Sequence, residues 1–130
     1  MWNETSISEI ADEVRQCLAR GDQHMAIRQA LRFVERYDRS TWEVRGEMIH
    51  PEPYPTGSAR FDALLAAVVE YSCAVRDVAA PAWVDDASRF LDEFWFVAEM
   101  PSLEADALAN TPISFARRGV FINSGALTYA

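Results

Sequence analysis

Residue types that commonly do chemistry are sparse in this chain of 130 residues. His24 and His50 are its only histidines, and neither stands at a metal-ligand spacing from a cysteine or carboxylate. Adjacent acids occur at 85–86 and 92–93, but neighbours on a helix point apart, so helix caps or a solvated surface explain them better than an acid/base pair. The chain has no glycine-rich phosphate loop and no nucleophile elbow. We therefore expect no enzymatic activity, no metal ion and no cofactor.

Arginines at a helical spacing are the first candidate binding feature. Arg28, Arg32 and Arg36 fall four residues apart, which places them on one face of a predicted helix. Such a face could bind a phosphate backbone or an acidic partner surface. Glu35 interrupts the positive charge, so the alternative is local ion pairing, for example Glu35 with Arg39, or docking onto an acidic stretch farther along the chain.

The second candidate binding feature is a concentration of aromatic and acidic side chains between residues 83 and 106. The aromatic residues are Trp83, Phe90, Phe94, Trp95 and Phe96, and the acids are Asp85, Asp86, Asp92, Glu93, Glu99, Glu104 and Asp106. In a core these aromatics would supply bulk, whereas on a surface they would form an acid-rimmed hydrophobic patch for a partner. We predict that most are core and that Trp95 is the first choice for a half-exposed one. The candidate partner-binding residues are accordingly Arg28, Arg32, Arg36, Trp95, Asp92 and Glu93.

Composition narrows the class of protein. The net charge of −8 at pH 7 disfavours duplex nucleic acid as a partner for the whole surface. Every one of the 12 basic residues is arginine. An apolar fraction of 50% argues against disorder. Cys17 and Cys73 lie among apolar neighbours of predicted helices, which indicates buried free thiols and a reducing cytoplasm. With no secretion signal before residue 20, we expect a cytoplasmic protein of one domain, 1–130, that does not enter a membrane.

The residues from Phe61 to Arg76 are the predicted centre of the fold. They are small or apolar on nearly every helical face, and Ser58 can cap the helix that they form. We predict an all-α helical bundle around this buried helix. Before it we predict a hairpin of two helices, Ser6 to Arg20 and Gln23 to Arg39, and a short third helix from Ser40 or Thr41. A proline-rich linker at 50–57 follows and could mark a subdomain boundary. After the central helix we predict a helix over 103–109 capped by Ser102, a helix begun by Thr111-Pro112, and a short extended segment at 120–122.

Several short motifs are spread over the chain from residue 55 onward: PTG at 55–57, RFDALLAA at 60–67, PAW at 81–83, RFLD at 89–92, WF at 95–96 and FARRGVFI at 115–122. In these stretches the chain resembles one family of small helical actinobacterial proteins. The resemblance implies an all-helical fold and an antitoxin-like or regulatory role beside nucleotidyltransferase-type toxins. Longer relatives carry a helix-turn-helix ahead of this region, for which this chain has no room, and this argues against direct promoter binding.

Two functions of different classes follow. The preferred hypothesis is a non-enzymatic protein-binding module, an antitoxin-like acidic partner of a cognate toxin. The alternative is a nucleic-acid-binding transcriptional regulator that uses the face of Arg28, Arg32 and Arg36. The sequence leaves self-association open.

Overall fold

A computed structural model describes residues 6–127, and helices account for most of them. The α-helices are α1 (Ile7–Ala19), α2 (Gln23–Arg39), α3 (Trp42–Ile49), α4 (Ala59–Val75), α5 (Glu104–Asn110) and α6 (Ile113–Ala116). Three 3-10 turns (Ala82–Asp85, Ala87–Arg89 and Pro101–Leu103) and two short strands, β1 (Trp95–Phe96) and β2 (Val120–Phe121), complete the described elements. The all-α prediction is confirmed. No helix among residues 6–127 has the length and apolar character needed to cross a membrane.

The predicted central helix is α4, and it is buried along most of its length. Every residue from Ala63 to Val69 is buried, because the sequence offers apolar or small side chains on all faces there. Ser58 caps the helix by accepting a hydrogen bond from the backbone N–H of Phe61 at 3.3 Å. Helices α2 and α6 and the turns at 82–89 pack around it.

The N-terminal hairpin forms as its cap residues predict. Ser6 and Glu9 make a reciprocal capping box at the start of α1. Gly21 adopts the left-handed conformation (φ 75°) that the tight turn requires, and Asp22 accepts a hydrogen bond from the N–H of Met25 at 3.1 Å. Both cysteines are free and buried, as expected.

A buried arginine holds the proline-rich linker against the rest of the chain. Arg89 donates hydrogen bonds to Glu52 at 3.0 Å and to the carbonyl oxygens of Pro53 and Asp62. Its guanidinium also stacks 4.8 Å from the ring centroid of Trp83. Buried residues from both sides of the linker belong to one hydrophobic cluster. A subdomain boundary at 50–57 stays a prediction.

Trp95 and Phe96, in the aromatic run at 94–96, form the strand β1, which the sequence patterns did not predict. β1 pairs in parallel with β2, with Trp95 opposite Val120 and Phe96 opposite Phe121. Successive side chains of a strand point to opposite faces, so Trp95 enters the core and Phe96 does not, and Phe94, the residue before β1, is exposed. The prediction that Trp95 is half exposed is therefore wrong: it is 1% exposed, and Phe94 is 66% exposed.

One predicted helix cap is also wrong. Ser102 lies inside the 3-10 turn that precedes α5, and no side chain caps that helix. Pro101 begins the turn, and its fixed φ suits the first position of a tight helix. The short extended segment at 120–122, in contrast, is confirmed by β2.

The burial of α4 predicts a large effect of truncating one of its side chains. Leu65→Ala removes a fully buried side chain and should lower the free energy of unfolding by about 2–5 kcal/mol. Leu108→Ala is the matched control, because Leu108 is 57% exposed on α5 and its loss should change stability by about 0.5 kcal/mol or less. Urea denaturation measures both, and equal effects would contradict a core centred on α4.

Candidate partner-binding surface

Acidic residues of the stretch 85–106 fall into two groups, and the first group is used within the fold. Asp85 pairs with Arg117, with 2.6 Å between its carboxylate oxygen and the guanidinium nitrogen. Asp86 accepts hydrogen bonds from the backbone N–H and the hydroxyl of Ser88, which lower the pKa of its carboxyl group. Asp85 thus ties its turn to the residue after α6, and Asp86 fixes a local turn, so both acids are used within the fold.

Asp106 is the most heavily bonded acid of this first group. Its two oxygens accept hydrogen bonds from the hydroxyl and the backbone N–H of Ser124 and from the side-chain amides of Asn123 and Asn110. The Ser124 hydroxyl and then the Asn123 amide contribute most to lowering the pKa of Asp106 well below its usual range. The carboxylate therefore ties α5 to the turn after β2.

The acids of the second group are unpaired, and exposed apolar side chains lie near them in the sequence. Asp92, Glu93 and Glu104 are exposed and form no ion pair or side-chain hydrogen bond with any other residue of 6–127. Phe94, Met100 and Leu103 are the large apolar side chains exposed along the same stretch of chain. We call these six residues the 92–104 surface. Glu99, between them, pairs with Arg60 at 3.5 Å.

Phe94 is held outward by the strand pairing rather than by a loose loop. The backbone N–H of Trp95 donates to the carbonyl of Gly119 at 2.8 Å. The ring of Phe94 rests edge-on against Phe121, with 5.0 Å between centroids. Gly119, whose carbonyl accepts the bond from Trp95, has φ 83°, a left-handed conformation that favours glycine. Phe94 thus presents a fixed apolar face, as aromatic anchors of protein interfaces do.

The arginine face of α2 exists as predicted and remains available. Arg28 and Arg32 are exposed, Arg36 is half-buried, and none of them forms an ion pair with another residue of 6–127. Docking onto the acidic stretch, one of the alternatives, is therefore wrong for these three residues. The other alternative is confirmed for Glu35, which pairs with Arg39 at 3.1 Å.

The structure separates the two sets of predicted site residues. Arg28 and Arg32 line a groove of about 390 Å³ together with His24, Ile27 and Leu31. Asp92 and Glu93 do not line that groove. Glu35 lines the groove as well, so its charge is mixed, and Trp95 is buried in the core.

The two histidines and the acidic side chains were the candidate ligands for a metal ion. No cluster of three or more His, Cys, Asp or Glu side chains among residues 6–127 has a geometry that suits a metal ion. His24 lies in the first turn of α2, whereas His50 follows the last residue of α3.

Compared with protein-family models, with curated proteins and with solved structures, the chain gives no significant match.

Phe94 is the site residue that sequence reasoning missed. The run Phe94-Trp95-Phe96 carried the signal, since in a strand its middle residue must face opposite to its neighbours. With a strand assigned there, either Trp95 or the two phenylalanines would have been placed outward. Only the pairing with β2, which no local pattern specifies, decides between them.

The hydrogen bonds to Asp106 predict a pH-dependent difference in stability. Because its folded-state pKa is lowered, Asp106 stabilises the fold above its unfolded pKa of about 3.9, and this stabilisation is lost as the pH falls through the lower folded pKa. Asp106→Asn should therefore lower the urea midpoint at pH 7, and its deficit relative to the wild type should shrink below about pH 4. Glu104→Gln, a neighbouring unbonded acid, is the control and should show no deficit. A deficit of Asp106→Asn that stays constant to pH 2 would contradict the assignment.

Proposed function

We propose that this protein is a non-enzymatic protein-binding module, an antitoxin-like acidic partner that covers a basic surface of a toxin. The observation that carries the proposal is the exposure of Phe94 beside the unpaired acids Asp92 and Glu93. An exposed, fixed aromatic ring next to free carboxylates suits a partner surface with an apolar pocket and arginine or lysine side chains around it.

Electrostatics favour this kind of partner. The chain carries a net charge of −8, and the acids of the 92–104 surface are not neutralised by pairing within residues 6–127. Opposite charges steer two proteins together and speed association. A toxin of the nucleotidyltransferase type, which the sequence resemblance implies, would carry cations that bind nucleic acid, and free carboxylates can occupy the place of phosphates. The two free, buried cysteines agree with action in a reducing cytoplasm.

The 92–104 surface predicts a charge- and Phe94-dependent complex. When this protein is co-expressed with the product of the gene beside it, the two should co-elute in size exclusion, and the toxicity of that product should be suppressed. Phe94→Ser and the double variant Asp92→Asn/Glu93→Gln should each weaken the complex by about tenfold or more, measured by calorimetry.

The matched control removes the same charge elsewhere. Glu43→Gln/Glu47→Gln changes two other exposed, unpaired acids, on α3, and should leave the affinity unchanged. A calorimetric affinity that Phe94→Ser and Asp92→Asn/Glu93→Gln leave unchanged would show that the partner uses another surface. A product that never co-elutes with the wild type would overturn the proposal.

A second function, nucleic-acid binding, is favoured by one observation: Arg28, Arg32 and Arg36 have no ion-pair partner among residues 6–127. If they bind a phosphate backbone, changing all three to glutamine should abolish binding at low salt. With partial loss, the slope of log affinity against log salt should become shallower by about two to three.

Its control is Arg15→Gln/Arg39→Gln/Arg60→Gln, which removes equal charge from arginines already paired with acids of the chain. Fluorescence anisotropy with labelled single- and double-stranded oligonucleotides measures both triple variants. Wild-type protein that gives no signal at low salt would rule this function out.

A further inference from the structure

Helix α3 breaks several rules for a short helix at once. It has eight residues, Thr41 precedes it without a side-chain capping bond, and Gly46 sits in its interior. Glu43 and Glu47 lie one turn apart with like charge, and neither has an ion-pair partner among residues 6–127. Its first residue, Trp42, is 74% exposed. Residues that lower the stability of a helix without a compensating contact are expected at binding sites, where function rather than stability determines the residue.

Gly46 is the most informative of these departures. The glycines with positive φ are Gly21, Gly57, Gly119 and Gly125, so Gly46 is helical and does not need the freedom of glycine. A Cβ atom placed on it would meet no atom within 4 Å, so packing does not require glycine either. What the missing side chain provides is open space on α3. Glycine commonly provides such space where a ligand approaches the backbone closely.

An apolar cleft lies on one side of Gly46. Its volume is about 520 Å³, and its apolar walls are Trp42 and Ile49 on α3 and the segment 78–81 after α4. That volume is within the usual range for small-molecule sites. A molecule with an aromatic or branched apolar body would bury its surface there.

A groove that contains two acids adjoins this cleft at Gly46. It has a volume of about 490 Å³, is lined by Glu43, Glu47 and Pro51, and shares Glu43, Gly46 and His50 with the cleft. Gly46 is thus a point at which the apolar and acidic parts meet.

The nearby cation of α3 does not neutralise these acids. Arg45 donates from Nε to the carbonyl of Tyr37 at 2.9 Å and from Nη2 to the carbonyl of Asp38 at 2.7 Å. Its guanidinium therefore closes the C-terminal end of α2, where carbonyl groups lack helical partners. Glu43 and Glu47 are left to attract a cation from outside.

We propose that the cleft and the groove form one site for a small amphiphilic cation, a molecule with an apolar body and an ammonium or guanidinium group. The body fills the cleft between Trp42 and the 78–81 segment, and the cation reaches Glu43 and Glu47 across Gly46. The indole of Trp42 can add a cation–π contact. This site is independent of the 92–104 surface and of the proposed function.

Titration followed by ¹⁵N–¹H NMR tests the chemistry with three matched probes: 2-phenylethylammonium, 3-phenylpropionate and 2-phenylethanol. We expect saturable shifts of the Trp42 indole N–H and the Gly46 amide with the ammonium probe. Affinity for the carboxylate should be at least about tenfold weaker because of Glu43 and Glu47. Equal binding of ammonium and carboxylate, or shifts scattered away from α3, would overturn the proposal.

Variants test whether the ammonium probe binds at α3. Gly46→Leu should block the site and abolish the shifts, whereas Gly46→Ala, which adds one methyl group into open space, should keep them. Both replacements favour the helix, so the spectra should remain those of a folded chain. Glu43→Gln/Glu47→Gln should reduce binding of the ammonium probe to that of the alcohol, and Asp92→Asn/Glu93→Gln should not. Unchanged binding by Gly46→Leu would place the probe elsewhere.

A final arm separates a small molecule from a protein segment with the same chemistry. A hexapeptide with an acetylated N-terminus and an amidated C-terminus, whose only charge is the guanidinium of a central Phe-Arg pair, is titrated alongside the amine. Binding of the amine at least as tight as that of the peptide supports the proposal, and a peptide that binds about tenfold tighter overturns it in favour of a polypeptide ligand.

Discussion

A guanidinium buried at the centre of the fold is the constraint on which much of the described structure depends. Arg118 is fully buried, and its nitrogens donate to Glu70 at 2.6 Å, to the carbonyl of Val84 at 2.6 Å and to that of Ser114 at 3.1 Å. Burial lowers the pKa of Arg118, and the Glu70 carboxylate opposes that shift. A buried cation is tolerated only when its donors are satisfied, so α4, α6 and the turn at 82–85 must keep these positions together.

The same residue positions the candidate surface. Its backbone carbonyl accepts a hydrogen bond from Leu91 at 2.9 Å, and that of Gly119 accepts one from Trp95 at 2.8 Å. The segment that leads into the 92–104 surface is therefore fixed to the chain that Arg118 anchors. This attachment fixes the backbone on both sides of Phe94, at Leu91 and at Trp95, and so holds the exposed ring in place.

Local patterns were sufficient for the helices and insufficient for this attachment. The apolar run of α4 and the caps at Ser6, Asp22 and Ser58 are encoded within a few residues, so the sequence predicts them. The pairing of Trp95 with Val120 joins residues 25 positions apart (120 − 95) through only two residues per strand. In the sequence, Arg118 looks like an ordinary cation in the last turn of a helix, because a charge carries no mark of its burial.

The unpaired surface charges and the interior glycine of α3 both lack an explanation within the fold, but they are not equally strong evidence for a binding site. Unpaired surface charges such as Arg28 or Asp92 cost the fold little, because an exposed ion pair contributes only about 0–1 kcal/mol, so their lack of partners is weak evidence by itself. The interior glycine of α3 costs its helix roughly 0.5–1 kcal/mol relative to alanine, and no contact of the described chain needs it. For the 92–104 surface the weight therefore rests on Phe94, a large apolar ring that strand pairing holds in solvent, rather than on the acids beside it.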